Sequence, residues 1–164
     1  MPRSPHPPDP IMKTQTLPGF FVAGLSARTN NVHESSGIGK IAEIWGKFMK
    51  SNTGGSLTGK IGDEVYAVYS DYESDHSGDY TFLLGFKVSL LNDLPLGITG
   101  VEIPGGDYAV VTSAEGPPQQ VVPATWFEIW NDKELEEVRS YKADFERYGN
   151  QAQVDIYLGI RSRN

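Results

Sequence analysis

Two carboxylates and a tyrosine recur at every second position in residues 140–149, which read SYKADFERYG. This alternation is typical of a β-strand and predicts that Asp144, Glu146 and Tyr148 share one face of it. A carboxylate placed among aromatic rings loses hydration, and an organic cation offsets that loss by charge pairing and by stacking on the rings. The pattern therefore indicates a site for a small positively charged molecule, with Glu146 as its acid.

Aromatic side chains along the chain are candidates for the walls of such a site. They are Tyr66, Tyr69, Tyr80, Phe82, Tyr108, Trp126, Trp130 and Tyr148. Rings fill protein cores more often than they cage ligands, so the alternative for each is a place in the core. The alternative for Glu146 is a surface acid paired with Arg147 or Arg139. The predicted ligand-binding set is Glu146, Glu128, Trp126, Tyr148, Tyr80, Tyr66, Tyr69, Tyr108 and Trp130.

Glu128 is the second acidic candidate in this set. It lies among large apolar residues in a segment with helical character, and Glu43 stands at the corresponding place in the first half of the chain. Repetition favours a structural role, in which Glu128 is a solvated helix acid or helps to position the other helix. The sharper interpretation puts it at the rim of a cleft beside the ligand.

The first half of the chain contains the elements of one strand-helix-strand-strand unit. An apolar run over residues 17–27 predicts a strand, and apolar residues at steps of three and four over 38–50 predict an amphipathic helix. Residues 64–72 and 80–88 are two strand-like runs joined by a turn-forming stretch, which predicts a hairpin.

The second half repeats this order. Residues 97–113 have strand character, and Pro123 is predicted to open a helix that continues to about residue 139. Residues 142–148 and 154–161 then predict a second hairpin.

Four pairs of matching segments indicate that the halves arose by duplication. The pairs are Leu17-Pro18-Gly19 with Ile103-Pro104-Gly105, Glu43-Ile44-Trp45 with Glu128-Ile129-Trp130, Tyr69 with Tyr148, and Leu84-Gly85-Phe86 with Leu158-Gly159-Ile160. Their separations of 86, 85, 79 and 74 residues fall steadily, as shorter loops in the second half would produce. We predict an α+β fold in which two strand-helix-strand-strand units share one antiparallel, twisted sheet. Both helices are expected on one face, with a central cleft at a pseudo-twofold axis.

The predicted domain is single and runs over residues 12–164, with one repeat at about 17–90 and the other at about 97–162. Residues 1–11 contain five prolines and few apolar residues, so we expect a disordered leader or a remnant that is foreign to the native protein.

Composition excludes several classes of function. The chain has 164 residues and no cysteine, which rules out disulfides and thiolate chemistry and suits a cytoplasmic location. Its net charge of −7, without a basic cluster, argues against direct nucleic-acid binding. No apolar run is long enough to span a bilayer, so no membrane association is expected.

No cofactor, metal or nucleophilic centre is predicted. The three histidines, His6, His33 and His76, are scattered without the spacing of a helical metal site. Residues 69–80 form an acidic stretch whose oxygens could bind a hard cation. The stretch lacks the glycine and terminal glutamate of an EF-hand loop, so a solvated hairpin is the favoured interpretation. No Gly-x-Ser-x-Gly elbow and no phosphate-binding loop occur.

Four segments together carry a resemblance to a known family. They read VEIPGGDYAV at 101–110, WFEIW at 126–130, DFERY at 144–148 and DIYLGI at 155–160. The chain resembles the GyrI-like small-molecule-binding family, which also supplies the effector-binding domain of multidrug-responsive bacterial transcription regulators, and it is most similar to the stand-alone integron-cassette type. The resemblance implies a central cleft with an acid at its floor and aromatic walls for lipophilic cations. Glu146 matches the acidic position, with Tyr148, Trp126 and Glu128 as neighbours.

Three functions follow as hypotheses. The leading one is a stand-alone binding protein for small lipophilic cationic molecules. The second is a hydrolase of reactive lipophilic compounds that uses Glu128 or Glu146 as general acid or base. The third is a protein-interaction module such as a gyrase inhibitor, with a partner that the sequence does not identify. The chain departs from the regulators because residues 1–16 cannot hold a helix-turn-helix, so direct transcriptional control is not expected.

Overall fold

The computed structural model describes residues 11–37, 39–75, 77–149 and 152–161. The strands within them are β1 (Ile11–Leu17), β2 (Phe20–Thr29), β3 (Lys60–Ser70), β4 (Tyr80–Val88), β5 (Thr99–Ile103), β6 (Gly106–Thr112), β7 (Arg139–Tyr148) and β8 (Asp155–Ile160). The helices are α1 (Asn31–Ser35), α2 (Ile41–Lys50), α3 (Thr53–Ser56), α4 (Pro118–Trp130) and α5 (Lys133–Val138). None of the helices in the described ranges is both long and apolar enough to cross a membrane.

All eight described strands form one open antiparallel sheet in the order β1-β6-β8-β7-β3-β4-β2-β5. The two central strands, β7 and β3, come from different halves of the chain. Outward from β7 the order is β8, β6, β1, and outward from β3 it is β4, β2, β5. Strands at the same place in the two series are equivalent in the two halves. The α+β class and the duplicated order predicted from the sequence are therefore confirmed.

The first strand of each half pairs with the other half. β1 adds to β6, whereas β5 adds to β2. The Pro-Gly links that follow these strands meet, because a Cβ on Gly105 would lie 2.9 Å from the backbone nitrogen of Gly19. A Cβ on Gly19 would likewise lie 3.1 Å from the carbonyl oxygen of Ile103. Only residues without a side chain allow the two links to pass this closely.

The predicted boundaries change at the beginning of the chain. The run predicted as one strand over 17–27 is divided at Pro18, which has no N–H for a ladder, so β1 precedes β2. Ile11, the last residue of the predicted leader, belongs to β1, and residues 1–10 of that leader lie outside the described residues. The strand β1 was missed because its polar sequence shows no apolar alternation.

The helices also differ in extent from the prediction. α2 begins at Ile41 rather than 38, and residue 38 lies outside the described residues. The helix expected to open at Pro123 begins at Pro118, because a proline in the first turn gives up no helical hydrogen bond. Pro123 then lies inside α4. The predicted single helix ends at Trp130, and Asp132 caps a separate helix α5 by accepting the N–H of Leu135 at 3.1 Å.

The two faces of the sheet carry different clusters. One face holds a core of both halves in which Phe145 stacks on Tyr157 with ring centroids 4.5 Å apart. On the other face, α2 covers one half and α4 with α5 covers the other. Tyr69 and Tyr148 pack against both helical clusters, so they lie at the seam between them.

An equivalent bulge interrupts each central strand. In β3, the six residues from Lys60 to Val65 face three residues of β4. In β7, the six residues from Arg139 to Asp144 likewise face three residues of β8. Gly62 and Tyr141 occupy the corresponding places, with φ of 74° and 53°. Lys60, Gly62 and Val65 are each 79 positions from their counterparts Arg139, Tyr141 and Asp144. The same 79 positions separate Tyr69 from Tyr148. The backbone itself therefore preserves the duplication.

Candidate functional site

Glu146 lies on the pseudo-twofold axis. It is the cross-strand partner of Ala67, and these two residues are also equivalent in the duplicated halves, 79 positions apart. The twofold rotation that relates the halves exchanges these two residues. Because they are also neighbours across the sheet, the axis must pass between them. The molecule thus places a single carboxylate at the point where its halves meet, with only a methyl group opposite.

Three uncharged donors hold the Glu146 carboxylate. The hydroxyl of Tyr69 and the indole N–H of Trp126 each donate to Oε2 at 2.6 Å, and the hydroxyl of Tyr148 donates to Oε1 at 2.5 Å. Tyr69 and Tyr148 are themselves equivalent in the two halves, so a symmetric pair of phenols flanks the acid. Glu146 is only 2% exposed.

No cation of the described residues pairs with Glu146. Arg147 binds Glu64 at 3.4 Å and Asp155 at 3.0 Å, whereas Arg139 binds Asp144 at 2.7 Å. The interpretation of Glu146 as a surface acid paired with either arginine therefore does not describe the structure.

Burial governs the titration of this cluster. It raises the pKa of the Glu146 carboxyl above the ordinary value of 4.5, although the three hydrogen bonds oppose the shift. Burial and the nearby carboxylate raise the pKa of Tyr69 well above 10, and they raise that of Tyr148 as well. Both phenols consequently stay protonated donors across the pH range in which the carboxyl loses its proton.

A cavity of about 890 Å³ opens above Glu146, between α2 and α4. Its aromatic lining residues are Trp45, Tyr69, Tyr72, Tyr80, Trp126, Trp130 and Tyr148. Trp45 of α2 contacts Tyr148 edge-on with centroids 5.1 Å apart, and Trp126 of α4 contacts Tyr69 in the same manner at 5.2 Å. Each flanking tyrosine therefore touches a tryptophan from the helix of the opposite half. Such volume and lining are typical of sites for drug-sized ligands.

The charged residues that line the cavity are Glu34, Arg139 and Glu146. Glu34 accepts the backbone N–H groups of Lys40 at 2.7 Å and Ile41 at 3.2 Å, so its carboxylate is engaged in capping α2. It also accepts the hydroxyl of Thr29. Glu146 is therefore the lining carboxylate whose charge no ion pair or helix end compensates within the described residues.

Arg139 forms a buried ion pair at the bulge of β7. Its partner Asp144 also accepts the hydroxyl of Tyr72 at 2.5 Å and the N–H of Gly159 at 2.9 Å. Burial disfavours the charged guanidinium, but the charge of Asp144 and the neighbouring phenols raise the pKa of Arg139. The guanidinium lies 4.3 Å from the centroid of the Tyr141 ring. Asp144 thus neutralises Arg139, and this pair adds no net charge to the cavity.

Six of the nine predicted ligand-binding residues line the cavity. They are Glu146, Trp126, Tyr148, Tyr80, Tyr69 and Trp130. Tyr66 and Tyr108 do not, because both lie in the core on the other face of the sheet. Tyr66 adjoins Ala67 in β3 and must point the opposite way, so the prediction that these two rings belong to the site is corrected.

Glu128 and Phe82 are also absent from the lining. Glu128 is exposed on α4, where it faces away from the cavity, and it does not lie at the rim. Phe82 is fully buried behind Tyr69, with centroids 5.3 Å apart. Glu43, the counterpart of Glu128, is likewise exposed and pairs with Lys47 at 3.1 Å.

The lining residues that the predicted set lacks include Trp45, Tyr72 and Arg139. Trp45 carried a usable signal, because it is the repeat counterpart of Trp130. Tyr72 lies just beyond the end of β3, so strand alternation does not predict where its side chain points. Arg139 lies at the bulge of β7, where the alternation of faces is interrupted. Within the described residues, no group of three or more His, Asp or Glu side chains is arranged to hold a metal ion.

Comparison with known proteins gives the family. Residues 14–160 match the family of integron-associated effector binding proteins, Cass2. A Bacillus subtilis (strain 168) protein named as a transcriptional regulator, YobU, is 35% identical over 147 residues, covering 85% of this chain and 91% of that protein. The crystal structure of the integron cassette protein VCH_CASS2, from the mobile metagenome of Vibrio cholerae, is 30% identical with a TM-score of 0.77, covering 92% of this chain and 95% of that one.

A more distant structure, that of SAV2435 bound to tetraphenylphosphonium, is 13% identical with a TM-score of 0.70 and covers 93% of this chain and 94% of that one. At this identity the likeness establishes the fold alone. The resemblance drawn from the sequence is confirmed, and the chain belongs to the family of integron-associated effector binding proteins.

Proposed function

We propose that this protein binds small lipophilic organic cations in the cavity between α2 and α4. The observation that carries the proposal is the Glu146 carboxylate, which is buried at the pseudo-twofold axis and has uncharged hydrogen-bond donors but no cationic partner among the described residues. A cytoplasmic location, which the absence of cysteine favours, is part of the proposal.

The physical reason is the cost of an unpaired charge in an apolar environment. Three hydrogen bonds only partly replace the water that a carboxylate loses, which is why the pKa of Glu146 is raised. A cation above it would supply the missing opposite charge, and each ring face it covers would add about 0.5–2 kcal/mol. A small inorganic cation would gain the charge pairing but would leave the tryptophan walls in contact with water. The site therefore favours a cation with a large apolar surface.

The relatives agree with this chemistry without determining the ligand. The family takes its description from effector binding, and the SAV2435 fold was solved with tetraphenylphosphonium. That ion is a suitable probe because its charge is permanent and shielded by four rings.

The test is a calorimetric titration with tetraphenylphosphonium. We expect affinity in the micromolar range, equivalent to about 8 kcal/mol, and a loss of about 30- to 100-fold in Glu146→Gln, which removes the charge but keeps the size. Glu43→Gln is the matched control, because it removes one exposed carboxylate that does not line the cavity. Its affinity should equal that of the unaltered protein.

A neutral probe separates charge from hydrophobicity. Triphenylphosphine oxide has similar rings without a net charge, so it should bind much more weakly and respond little to Glu146→Gln. Equal binding of both probes, or equal affinity in both variants, would refute the charge argument.

A further inference from the structure

The walls of the cavity repeat on the two sides of the axis. Trp45 of α2 and Trp130 of α4 are equivalent residues, 85 positions apart, and both line the cavity. Ile41 and Trp126 form a second equivalent pair with the same separation, and both of them also line it. The cavity thus has an apolar wall in each half, related by the pseudo-twofold axis that passes beside Glu146.

Among the described residues that line the cavity, the carboxylate without an ion pair or a helix end to compensate it is central. Glu146 lies between the walls, with Tyr69 on one side and Tyr148 on the other. A ligand whose charge lies at one end would place that end at the axis and its apolar part along a single wall. The tryptophan of the opposite wall would then remain in contact with water, and the apolar burial available there would be lost.

We infer, on the basis of the proposed function, that the site selects cations with a central charge and an aromatic arm on each side. In such a ligand the charge rests over Glu146 while one arm reaches Trp45 and the other reaches Trp130. The volume of about 890 Å³ is near the upper end for drug-sized sites and leaves room for both arms.

Two isomeric cations test this selectivity. Dibenzyldimethylammonium and (4-biphenylylmethyl)trimethylammonium share one molecular formula, a permanent positive charge and two phenyl rings, but the charge is central in the first and terminal in the second. We expect the first isomer to bind about tenfold more tightly, which corresponds to about 1.4 kcal/mol. Equal affinity, or a preference for the terminal isomer, would overturn the inference.

Substitutions on both walls provide the second measurement. Trp45→Leu and Trp130→Leu should each weaken dibenzyldimethylammonium by a comparable factor of about three to ten, because each removes the wall for one arm. Only one of them should matter for the terminal isomer. Phe127→Leu is the control, since Phe127 is an aromatic residue of α4 that is 65% exposed and does not line the cavity. If either tryptophan variant left the affinity for the central isomer unchanged, the two-walled arrangement would be wrong.

Failure of this inference is distinguishable from failure of the proposed function. Suppose that tetraphenylphosphonium binds in a manner that depends on Glu146, but that the isomers bind equally or not at all. That result would refute the two-armed selectivity and leave the proposed function intact. Absence of binding by all three cations would contradict both.

Discussion

The two bulges of the central strands share a backbone but differ in what they bury. In β3, Lys60 pairs with the exposed Asp63 at 2.8 Å, and the residue with positive φ is Gly62. In β7, the corresponding Arg139 is 3% exposed and pairs with a fully buried Asp144. The first half therefore keeps its bulge charges in water, whereas the second half moves them into the interior.

The same division is present at the axis. The first half contributes Ala67 and the second contributes Glu146, while the flanking tyrosines are shared equally. Duplication allows this specialisation, because one copy can maintain the sheet while the other accumulates buried charges that would each weaken an isolated fold. The difference between the halves thus separates residues that maintain the fold from residues that we propose act on a ligand.

The largest expected difference between the halves is the stability effect of their bulge acids. Asp144→Asn should lower the free energy of unfolding by about 3–5 kcal/mol, because it leaves Arg139 buried without its counter-charge. Asp63→Asn, the control in β3, should leave that free energy unchanged, since its ion pair is exposed to solvent. Urea denaturation measures both. A similar loss in the two variants would mean that burial does not distinguish the bulges.

Moving the acid across the axis tests whether the halves are interchangeable at the site. Glu146→Ala should weaken tetraphenylphosphonium binding by about 100-fold, or 2.7 kcal/mol. Adding Ala67→Glu to that variant should recover at least about tenfold, because the new carboxylate faces the same two tyrosines from the other strand. Recovery should be incomplete, since Ile41 stands where the second half has the donor Trp126. Titration calorimetry decides the matter, and no recovery in a folded double variant would argue against the symmetry.

The smallest expected effect is a pH dependence that arises from Glu146, in the second half. Because the Glu146 pKa is higher in the folded protein than its ordinary 4.5, the folded state binds this proton more tightly. Folding stability from this group therefore falls as pH rises from 4.5 through the folded pKa, and cation affinity rises over the same window by at most about tenfold per pH unit.

The measurement is tetraphenylphosphonium affinity between about pH 4 and pH 8, with proton release followed in buffers of different ionisation enthalpy. The neighbouring Tyr69 and Tyr148 stay neutral and Arg139 stays charged across this range, so they add no competing step. Glu146→Gln should abolish the dependence that this carboxyl contributes. An unaltered pH profile in that variant would assign the proton to another group.

Strand alternation predicted the face on which Glu146 lies, and the family resemblance singled it out as the acid of the site. The period of two placed Asp144, Glu146 and Tyr148 on one face, and the repeat predicted a cleft where the halves meet. The same period would have excluded Tyr66, which adjoins Ala67 and lies on the opposite face. That error came from grouping rings by type without assigning each to a face.

The remaining features depend on tertiary structure that no local pattern specifies. The position of Arg139 requires the bulge, which needs a residue such as Tyr141 at positive φ. The pairing of β1 with β6 is invisible locally, because the polar residues of β1 gain their structure from a partner far along the chain.

That pairing has a consequence for how the protein is made. Ile11 pairs with Thr112 and Leu17 with Gly106, so the first strand must wait for almost two thirds of the chain to be synthesised before its neighbour exists. Contacts between residues so distant in sequence close late and slowly. An amino-terminal fragment that leaves the ribosome before β6 is made would therefore carry an unpaired strand at the edge of an incomplete sheet.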